Sequence, residues 1–318
     1  MEFPQHIRGR IEELAGKEDI RRLSKAAHSL SENYRREEHI SASDKTELLA
    51  YSAVRMPATF GAVSRALELT FEAFEKWGEN ADGISSVLDA GAGTGAAAIA
   101  AGIMLEDAEI TCLERDHNML ELGKQFAENA CWKERDIING IDEKADLAVC
   151  SYCLNELPES HRKTVTASLA KAADKLLLIV EPGTPRSFEE VKKTRDELIS
   201  LGMRIIAPCP ADGACMLPKD DWCHFTARIA RSRLHKQLKG GEVPYEDEKF
   251  CFLAAVWAYN ERLSKNARII RKPIIEPGKI TLRLCSGDGI SEKTVTRSSP
   301  LFKRARKSDT GDSFPSNS

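Results

Sequence analysis

The sequence predicts an α/β fold with a doubly wound, mostly parallel sheet, and three observations support this prediction. Short apolar runs alternate with helical patterns of ten or more residues from residue 84 onward, which is typical of such a sheet. A glycine-rich loop directly follows the first apolar run, and a wholly helical region precedes it. The predicted strands cover residues 86–90, 109–114, 146–151, 175–180 and 203–207.

The 318 residues, 42% of them hydrophobic, are enough for one large core with additions. We predict an N-terminal helical region over 1–80 and a sheet-containing core over 81–207. Residues 208–307 are predicted to form a cysteine loop and a basic β extension that completes the core. Its strands are expected at 250–257, 267–271, 279–285 and 293–297. The polar tail, 308–318, is predicted to be disordered.

The helical region carries both start and stop signals. Asp44 and Glu47 occupy the N-cap and third positions of one helix. A later helix has one apolar stripe that should pack on the sheet, and Gly78 should end that helix. The stripe consists of Phe60, Val63, Leu67, Phe71 and Phe74.

Charge is distributed unevenly along the chain. The net charge is only −3, but residues 262–307 contain thirteen Lys or Arg and three Asp or Glu, a net +10. No amphipathic apolar face accompanies this basic segment, so we expect a nucleic acid rather than a membrane as partner. The candidate contact residues are Arg268, Arg271, Lys272, Lys303, Arg304, Arg306 and Lys307.

The glycine-rich loop extends from Asp89 to Gly95 and opens an alanine-rich helix. Its glycines, Gly91, Gly93 and Gly95, allow close approach of a ligand to the backbone. The pattern G-x-G-x-x-A fits a dinucleotide, and D-x-G-x-G-x-G fits S-adenosylmethionine. Asp89 favours the second, because a carboxylate would repel a pyrophosphate but can accept from the methionine ammonium, directly or through water. An NAD-dependent enzyme is the less favoured alternative.

Three further residues are predicted to bind this cofactor. Glu114 ends the second strand, where it can accept from both ribose hydroxyls. Asp136 follows a poorly defined third strand and can meet the adenine amino group. Ser151 ends the fourth strand, whose carboxyl end should face the methyl group. No N-P-P-Y motif and no evident catalytic base accompanies these residues, so no catalytic residue is assigned.

The nine cysteines, with an acidic N-terminus and no apolar signal segment, predict a reducing compartment. Cys209, Cys215 and Cys223 are separated by Pro, Gly and Asp rather than by an apolar pattern, which is typical of metal ligands on a loop. Cys285, before a turn, is the best fourth ligand, and His224 is expected to pack or to support the ligands. The spacing does not choose between zinc and an iron–sulfur cluster; zinc is slightly favoured on general grounds, and four thiolates fit either metal centre. The other cysteines are interpreted as structural thiols, including the Cys150–Cys153 pair.

Several blocks of the sequence form a highly specific combination. They are 51–60 (YSAVRMPATF), 89–95, 154–157 (LNEL), 181–185 (EPGTP), 206–209, 221–225 (DWCHF), 245–250 and 305–307. Together these blocks resemble the methyltransferase-like family of mitochondrial small-ribosomal-subunit assembly and its bacterial relatives, and the similarity covers nearly the whole chain. Ala211, Met216 and Thr310 depart from the family pattern, and none of the three is a presumed ligand.

The resemblance implies a Rossmann-like S-adenosylmethionine-dependent methyltransferase fold and a [4Fe-4S] cluster on Cys209, Cys215, Cys223 and Cys285, in place of zinc. It also implies action on the assembling small ribosomal subunit. We therefore expect a monomeric rRNA-binding assembly factor that holds S-adenosylmethionine, with a true rRNA methyltransferase as the alternative. The acidic N-terminus favours the cytoplasm, and the mitochondrial matrix is the alternative location.

Overall fold

The computed structural model describes residues 2–35, 44–257 and 266–315. Its N-terminal part is helical, as predicted, although residues 36–43 of the predicted helical region lie outside the described residues. Asp44 caps the third helix by accepting a hydrogen bond from the Glu47 N–H at 2.9 Å, which confirms the predicted cap. The helices are α1 (Gln5–Ala15), α2 (Ile20–Arg35), α3 (Lys45–Val54) and α4 (Met56–Trp77).

The helix α4 carries the predicted apolar stripe into the core. Pro57 lies in its first turn, where a missing N–H breaks no helical hydrogen bond. Gly78 ends the helix at φ 99°, a conformation that glycine adopts without strain. Phe60, Val63, Leu67 and Phe74 are buried, and Phe71 packs against the same cluster while remaining partly exposed.

The central sheet has the strand order β3-β2-β1-β4-β5-β8-β6, and β7 pairs with the first half of β8. Strands β1 to β5 pair in parallel, whereas β8 is antiparallel to both β5 and β6. This arrangement confirms the predicted Rossmann-like methyltransferase fold. The strands are β1 (Ser86–Ala90), β2 (Glu109–Glu114), β3 (Cys131–Glu134), β4 (Ala145–Ser151), β5 (Ala173–Pro182), β6 (Met203–Ala207), β7 (Phe225–Ala230) and β8 (Tyr245–Trp257).

Helices cover both faces of this sheet, and the side chains of β5 alternate between them. Leu176 and Leu178 join the cluster that includes the N-terminal helices, whereas Leu177 and Ile179 join the opposite cluster. No helix among the described residues is long and apolar enough to cross a membrane. The remaining helices of this part are α5 (Ala96–Met104), α6 (His117–Gly123), α7 (Glu159–Ala172), α8 (Pro185–Ser200) and α9 (Arg233–Lys239).

The C-terminal extension forms a second, antiparallel sheet with the order β10-β11-β9-β13, in which β12 also pairs with β11. Its small core includes Ile280, Leu282, Val295 and Phe314. The small sheet therefore buries its own apolar face. Residues outside this small core connect it to the central sheet. Its elements are β9 (Asn266–Ile269), β10 (Ile274–Glu276), β11 (Lys279–Ser286), β12 (Gly289–Thr296), α10 (Phe302–Lys307) and β13 (Ser313–Pro315).

The structure corrects the expectation of a disordered tail. Ser313–Pro315 forms a strand on the edge of β9, and the side chain of Phe314 is fully buried in the small core. Asp312 also forms an ion pair with Arg65 of α4, with Nη2 and Oδ1 2.7 Å apart. One aromatic side chain and one carboxylate fix an otherwise polar segment, so its composition gave no sign of order. Residues 316–318 lie outside the described residues.

Candidate functional site

A cavity of about 160 Å³ opens at the carboxyl ends of β1, β2 and β4. The strand order reverses between β1 and β4, and ligands of doubly wound sheets bind at such a switch point. The structure thus brings together five of the predicted cofactor residues from four separate parts of the chain. They are Gly91, Gly93, Glu114, Asp136 and Ser151.

Two glycines of the loop are needed for steric reasons. Gly91 has φ 77°, and a Cβ atom there would lie 2.5 Å from the Cys153 sulfur. Gly95, at φ 87°, precedes α5 and packs under Trp132, where a Cβ atom would lie 3.2 Å from the ring. Gly95 is not part of the cavity wall, so its contribution is to the turn rather than to ligand contact.

Glu114 holds the loop against the end of β2. Its Oε2 accepts from the Gly93 N–H at 2.7 Å, and its Oε1 accepts from the Asp116 N–H at 2.8 Å. Burial raises the pKa of this carboxyl, although the backbone hydrogen bonds oppose the effect. Each carboxylate oxygen has a second lone pair, so Glu114 can still accept hydrogen bonds from a ligand in the cavity.

Asp89 lies beneath the loop, not on the cavity wall. It is fully buried, and its Oδ2 accepts from the Ala98 N–H of α5 at 3.0 Å. Its Oδ1 has no hydrogen-bond partner among the described residues. Burial raises the pKa of Asp89 to about 7. In this structure the side chain projects toward α5, and its contact with a methionine ammonium, directly or through water, stays a prediction.

Asp136 and Ser151 form the far side of the cavity. Asp136 caps a short 3₁₀ turn by accepting from the Ile138 N–H at 3.0 Å, and β3 does precede it. Ser151 is the last residue of β4. Tyr152 follows with φ 54°, which is uncommon for a residue other than glycine, and its hydroxyl donates to Glu248 Oε1 at 2.9 Å.

The helical cap supplies cavity residues that the sequence patterns did not predict. Tyr51 and Thr59 line the wall together with Glu156. Burial raises the pKa of Tyr51 to about 12, so its phenol is a hydrogen-bond donor at neutral pH. Tyr51 and Thr59 belong to the block 51–60 that carries the family resemblance. That block was the one sign in the sequence that these two residues could belong to a functional site.

Glu181 is a second missed residue, and it organises the segment after β4. This buried carboxyl accepts from the Leu154 N–H at 2.8 Å and from the Asn155 side-chain amide at 2.7 Å. Burial raises the pKa of Glu181 to about 8. The LNEL and EPGTP blocks therefore contact each other directly, which gives both a structural reason for their place in the resemblance.

A second cavity, of about 50 Å³, brings together all four predicted cysteine ligands. Cys209, Cys215 and Cys223 lie between β6 and β7 of the central sheet, whereas Cys285 lies on β11 of the small sheet. Most of the remaining wall is apolar and includes Phe188 and Phe252. The cavity thus joins the two sheets through residues that are far apart in the sequence.

The four thiols are not pre-arranged around a single ion. Within 2–35, 44–257 and 266–315, no group of three or more His, Cys, Asp or Glu side chains is positioned to hold one metal ion. Burial raises the pKa of Cys209 and of Cys223, and that of Cys285 to about 12. A metal centre would have to displace these protons, so binding would favour high pH.

Two buried arginines line the same cavity. Arg195 of α8 is 3% exposed, and its Nε has no hydrogen-bond partner in the described parts of the chain. Arg268 of β9 is 8% exposed and donates to the carbonyls of Pro208 and Gly311. Such positive charges fit a cavity whose sulfur atoms bind a metal centre as thiolates.

The predicted nucleic-acid contacts divide into buried and exposed groups. Arg268 was expected to contact nucleic acid, but its guanidinium is bonded inside the protein and cannot reach a phosphate outside it. Arg271 is ion-paired with Asp221 and also donates to the Trp222 carbonyl at 3.0 Å. The exposed members are Lys272, Lys303, Arg304, Arg306 and Lys307, and all except Lys272 belong to α10.

Several solved methyltransferase structures are similar to the chain. Magnesium protoporphyrin IX methyltransferase from Synechocystis PCC 6803 with bound SAH is 16% identical, with 71% of this chain and 93% of that chain covered and a TM-score of 0.41. The plantazolicin methyltransferase BpumL in complex with SAH is 14% identical, with 80% and 100% covered and a TM-score of 0.42. Because these TM-scores are low, the fold is assigned from the strand order of the central sheet and not from these similarities.

Two sequence comparisons complement the structural one. No curated protein sequence matches the chain. The model of one protein family, described as mitochondrial small ribosomal subunit Rsm22, matches residues 45–315. This match begins at α3 and extends through β13, so it includes both cavities and both sheets. The chain therefore belongs to the Rsm22 family.

Proposed function

We propose that the chain is an S-adenosylmethionine-binding, iron–sulfur-containing factor that acts on the small ribosomal subunit through contact with its rRNA. The observation that carries this proposal is the cavity at the switch point of a methyltransferase-type sheet, lined by Gly91, Gly93 and Glu114. The family description supplies the ribosomal context.

The cavity offers a complementary group for each part of the cofactor. Glu114 would accept hydrogen bonds from the ribose hydroxyls, and Asp136 would accept one from the adenine amino group. The glycine loop admits the methionine part, and Asp89 supports this loop from below through α5. The antiparallel β8 next to β5 favours this cofactor over NAD, because dinucleotide-binding sheets of this order continue in parallel.

A direct binding measurement tests the cofactor assignment. Isothermal titration of the full chain with S-adenosylmethionine should give saturable binding with one site, and NAD should give none. Binding of NAD alone would reject the assignment and favour the dehydrogenase alternative.

A [4Fe-4S] cluster would be held by Cys209, Cys215, Cys223 and Cys285. A tetrahedral zinc site needs its sulfurs about 3.8 Å apart, given bonds of about 2.3 Å. A cluster attaches each thiolate to a different iron and so accepts a wider spacing of the four sulfurs. When bound, the cluster would supply a covalent link between the two sheets. Zinc remains the alternative metal.

The exposed cations of α10, with Lys272, would contact rRNA phosphates. The family description names a mitochondrial small subunit, which favours the mitochondrial matrix over the cytoplasmic location expected from the N-terminus. Immunoprecipitation of the tagged chain should recover small-subunit rRNA in excess over large-subunit rRNA. Equal recovery would count against a small-subunit role.

Methyl transfer to rRNA is the second candidate function. It is favoured by the placement of Tyr152 and Glu156, which follow β4 and line the cavity where the methyl group would lie. Radiolabelled S-adenosylmethionine should label rRNA with the wild type and far less with Glu156→Gln. A chain that binds the cofactor and rRNA but labels no nucleotide would act as an assembly factor only.

A further inference from the structure

Two buried arginines line the cavity that contains the four cysteines. Their hydrogen bonds and ion pairs within the protein offset only part of the free-energy cost of burying the two charges. Arg195 donates to the carbonyls of Ala211 at 3.0 Å and Gly213 at 2.6 Å. Within the described parts of the chain its one ion pair is with Asp196, whose side chain is 74% exposed and therefore well hydrated. The guanidinium lies beside the Cys209 thiol, and its buried Nε–H has no hydrogen-bond acceptor among the described residues. A buried charged donor without a partner is strongly unfavourable.

Arg268 faces the cavity from β9 of the small sheet. Its Nε donates to the Pro208 carbonyl at 3.1 Å, and its Nη1 donates to the Gly311 carbonyl at 2.6 Å. Among the described residues, no carboxylate lies within ion-pairing distance of this guanidinium. Glu72 and Asp312 act on this charge from beyond that distance, so the immediate partners of the buried guanidinium are carbonyl dipoles.

We infer that Arg195 and Arg268 are the positive partners of an anionic metal centre on Cys209, Cys215, Cys223 and Cys285, and that they set its retention and reduction potential. This inference rests on the proposed cluster. Four thiolates carry more negative charge than the iron–sulfur core carries positive charge, so the bound centre is a net anion. One guanidinium enters the cavity from α8 and the other from β9 of the small sheet, and together they would neutralise the centre.

Arg268 also connects the centre to the end of the chain. Pro208 precedes the ligand Cys209, and Gly311 precedes the residues of β13, so a single guanidinium holds the ligand loop and the terminal strand together. A residue that sequence analysis assigned to RNA contact thus acts as a positioning residue for the cluster and for the tail.

The test uses the full chain, purified without oxygen, as wild type, Arg195→Gln, Arg268→Gln, Arg195→Lys and Arg268→Lys. We expect each Gln variant to lose iron to a chelator at least about tenfold faster than the wild type. We also expect its reduction potential to become more negative, because reduction adds negative charge that a nearby cation stabilises. The Lys variants should keep the wild-type potential. Arg228→Gln, which removes an exposed, ion-paired arginine of β7, should change neither property.

Each other outcome is decisive. Gln variants that match the wild type in iron loss and potential would overturn the inference while leaving the cluster in place. Lys variants that lower the potential as much as Gln variants would also overturn it, because a purely structural role would explain that result. If one Gln variant fails to fold, the Gln variant of the other arginine decides by the same two measurements. A wild type that holds zinc would reject the cluster alone, and zinc loss from the variants would then test the arginines. A wild type without metal would reject both.

Discussion

Arg55 and Glu248 form a buried ion pair, with Nη2 and Oε1 3.0 Å apart and both side chains 5% exposed. A second hydrogen bond of 3.3 Å makes the contact bidentate. Glu248 Oε1 also accepts from the hydroxyl of Tyr152 at 2.9 Å. The pair therefore connects the start of α4, the long strand β8 and the residue that follows β4 at the cofactor cavity.

Removing one member of this pair should destabilise the protein strongly. Arg55→Ala leaves the Glu248 carboxylate buried without its guanidinium partner, and we expect a loss of about 3 kcal/mol in the free energy of unfolding. Denaturant unfolding monitored by circular dichroism measures it. The matched control is Arg228→Ala, which breaks an exposed pair with Asp247 and should cost less than about 1 kcal/mol. Equal losses of unfolding free energy in the two variants would show that the buried pair stabilises the protein no more than the exposed pair does.

Glu114→Gln should weaken binding of S-adenosylmethionine by about 10- to 100-fold, because the amide loses a charged acceptor for the ribose and one of two backbone contacts. Isothermal titration at neutral pH measures the change in Kd. Glu121→Gln, on the exposed side of α6, should bind as the wild type does. An unchanged Kd in Glu114→Gln would place the ribose elsewhere.

Glu181 should make the protein less stable as the pH rises. Its pKa is about 8 in the folded chain, against an ordinary value of 4.5, so the folded state holds this proton more tightly. Its stabilising contribution is complete below pH 4.5 and is lost as the pH rises toward 8. Over that range we expect the wild type to lose more than about 1.4 kcal/mol relative to Glu181→Gln, the equivalent of one pKa unit.

Urea unfolding of both proteins at about pH 5 and pH 8 measures this difference. The amide of the variant can be accommodated, because Asn155 Oδ1 has no hydrogen-bond partner in the described chain and could accept from it after an amide flip. Glu189→Gln, on the exposed surface of α8, should reproduce the wild-type pH profile. Parallel profiles for wild type and Glu181→Gln would show that the carboxyl is ionised throughout.

Cys285→Ser should loosen the small sheet before it affects the cofactor cavity. Cys285 is the cavity cysteine that belongs to β11, so its loss would remove the proposed link between the sheets. We expect faster amide hydrogen exchange in β9, β11 and β13, weaker rRNA binding and an unchanged Kd for S-adenosylmethionine. Cys131→Ser, an exposed thiol on β3, is the control. Loss of cofactor binding with normal exchange in the small sheet would contradict this order.

The exposed cations of α10 should control the salt dependence of rRNA binding. Replacing Lys303, Arg306 and Lys307 by Ala removes three charges, and each should reduce the slope of log K against log salt by about 0.7 to 0.9. Filter binding between about 50 and 200 mM salt gives the slope. The control replaces Lys163, Lys171 and Lys193 of α7 and α8, and its slope should equal that of the wild type. Equal slopes for all three proteins would exclude α10 from the interface.

Local patterns allowed much of the fold to be predicted from the sequence. Three predicted strands, 86–90, 109–114 and 203–207, have the observed bounds. Their apolar runs are buried on both faces of one sheet, and such runs are visible without knowledge of partners. The glycine loop was equally visible, because positive φ angles at Gly91 and Gly95 leave few alternatives to glycine.

What the sequence determined by itself was therefore the order of the elements, the loop that opens the first cavity and the choice of the four cysteines that line the second cavity. Only the tertiary structure decided where charges and partners lie. It placed Asp89 beneath the loop, Arg268 inside the cysteine cavity and Phe314 in the small core. These outcomes depend on contacts between segments far apart in the chain, and the burial of a single side chain leaves no periodic pattern in the sequence.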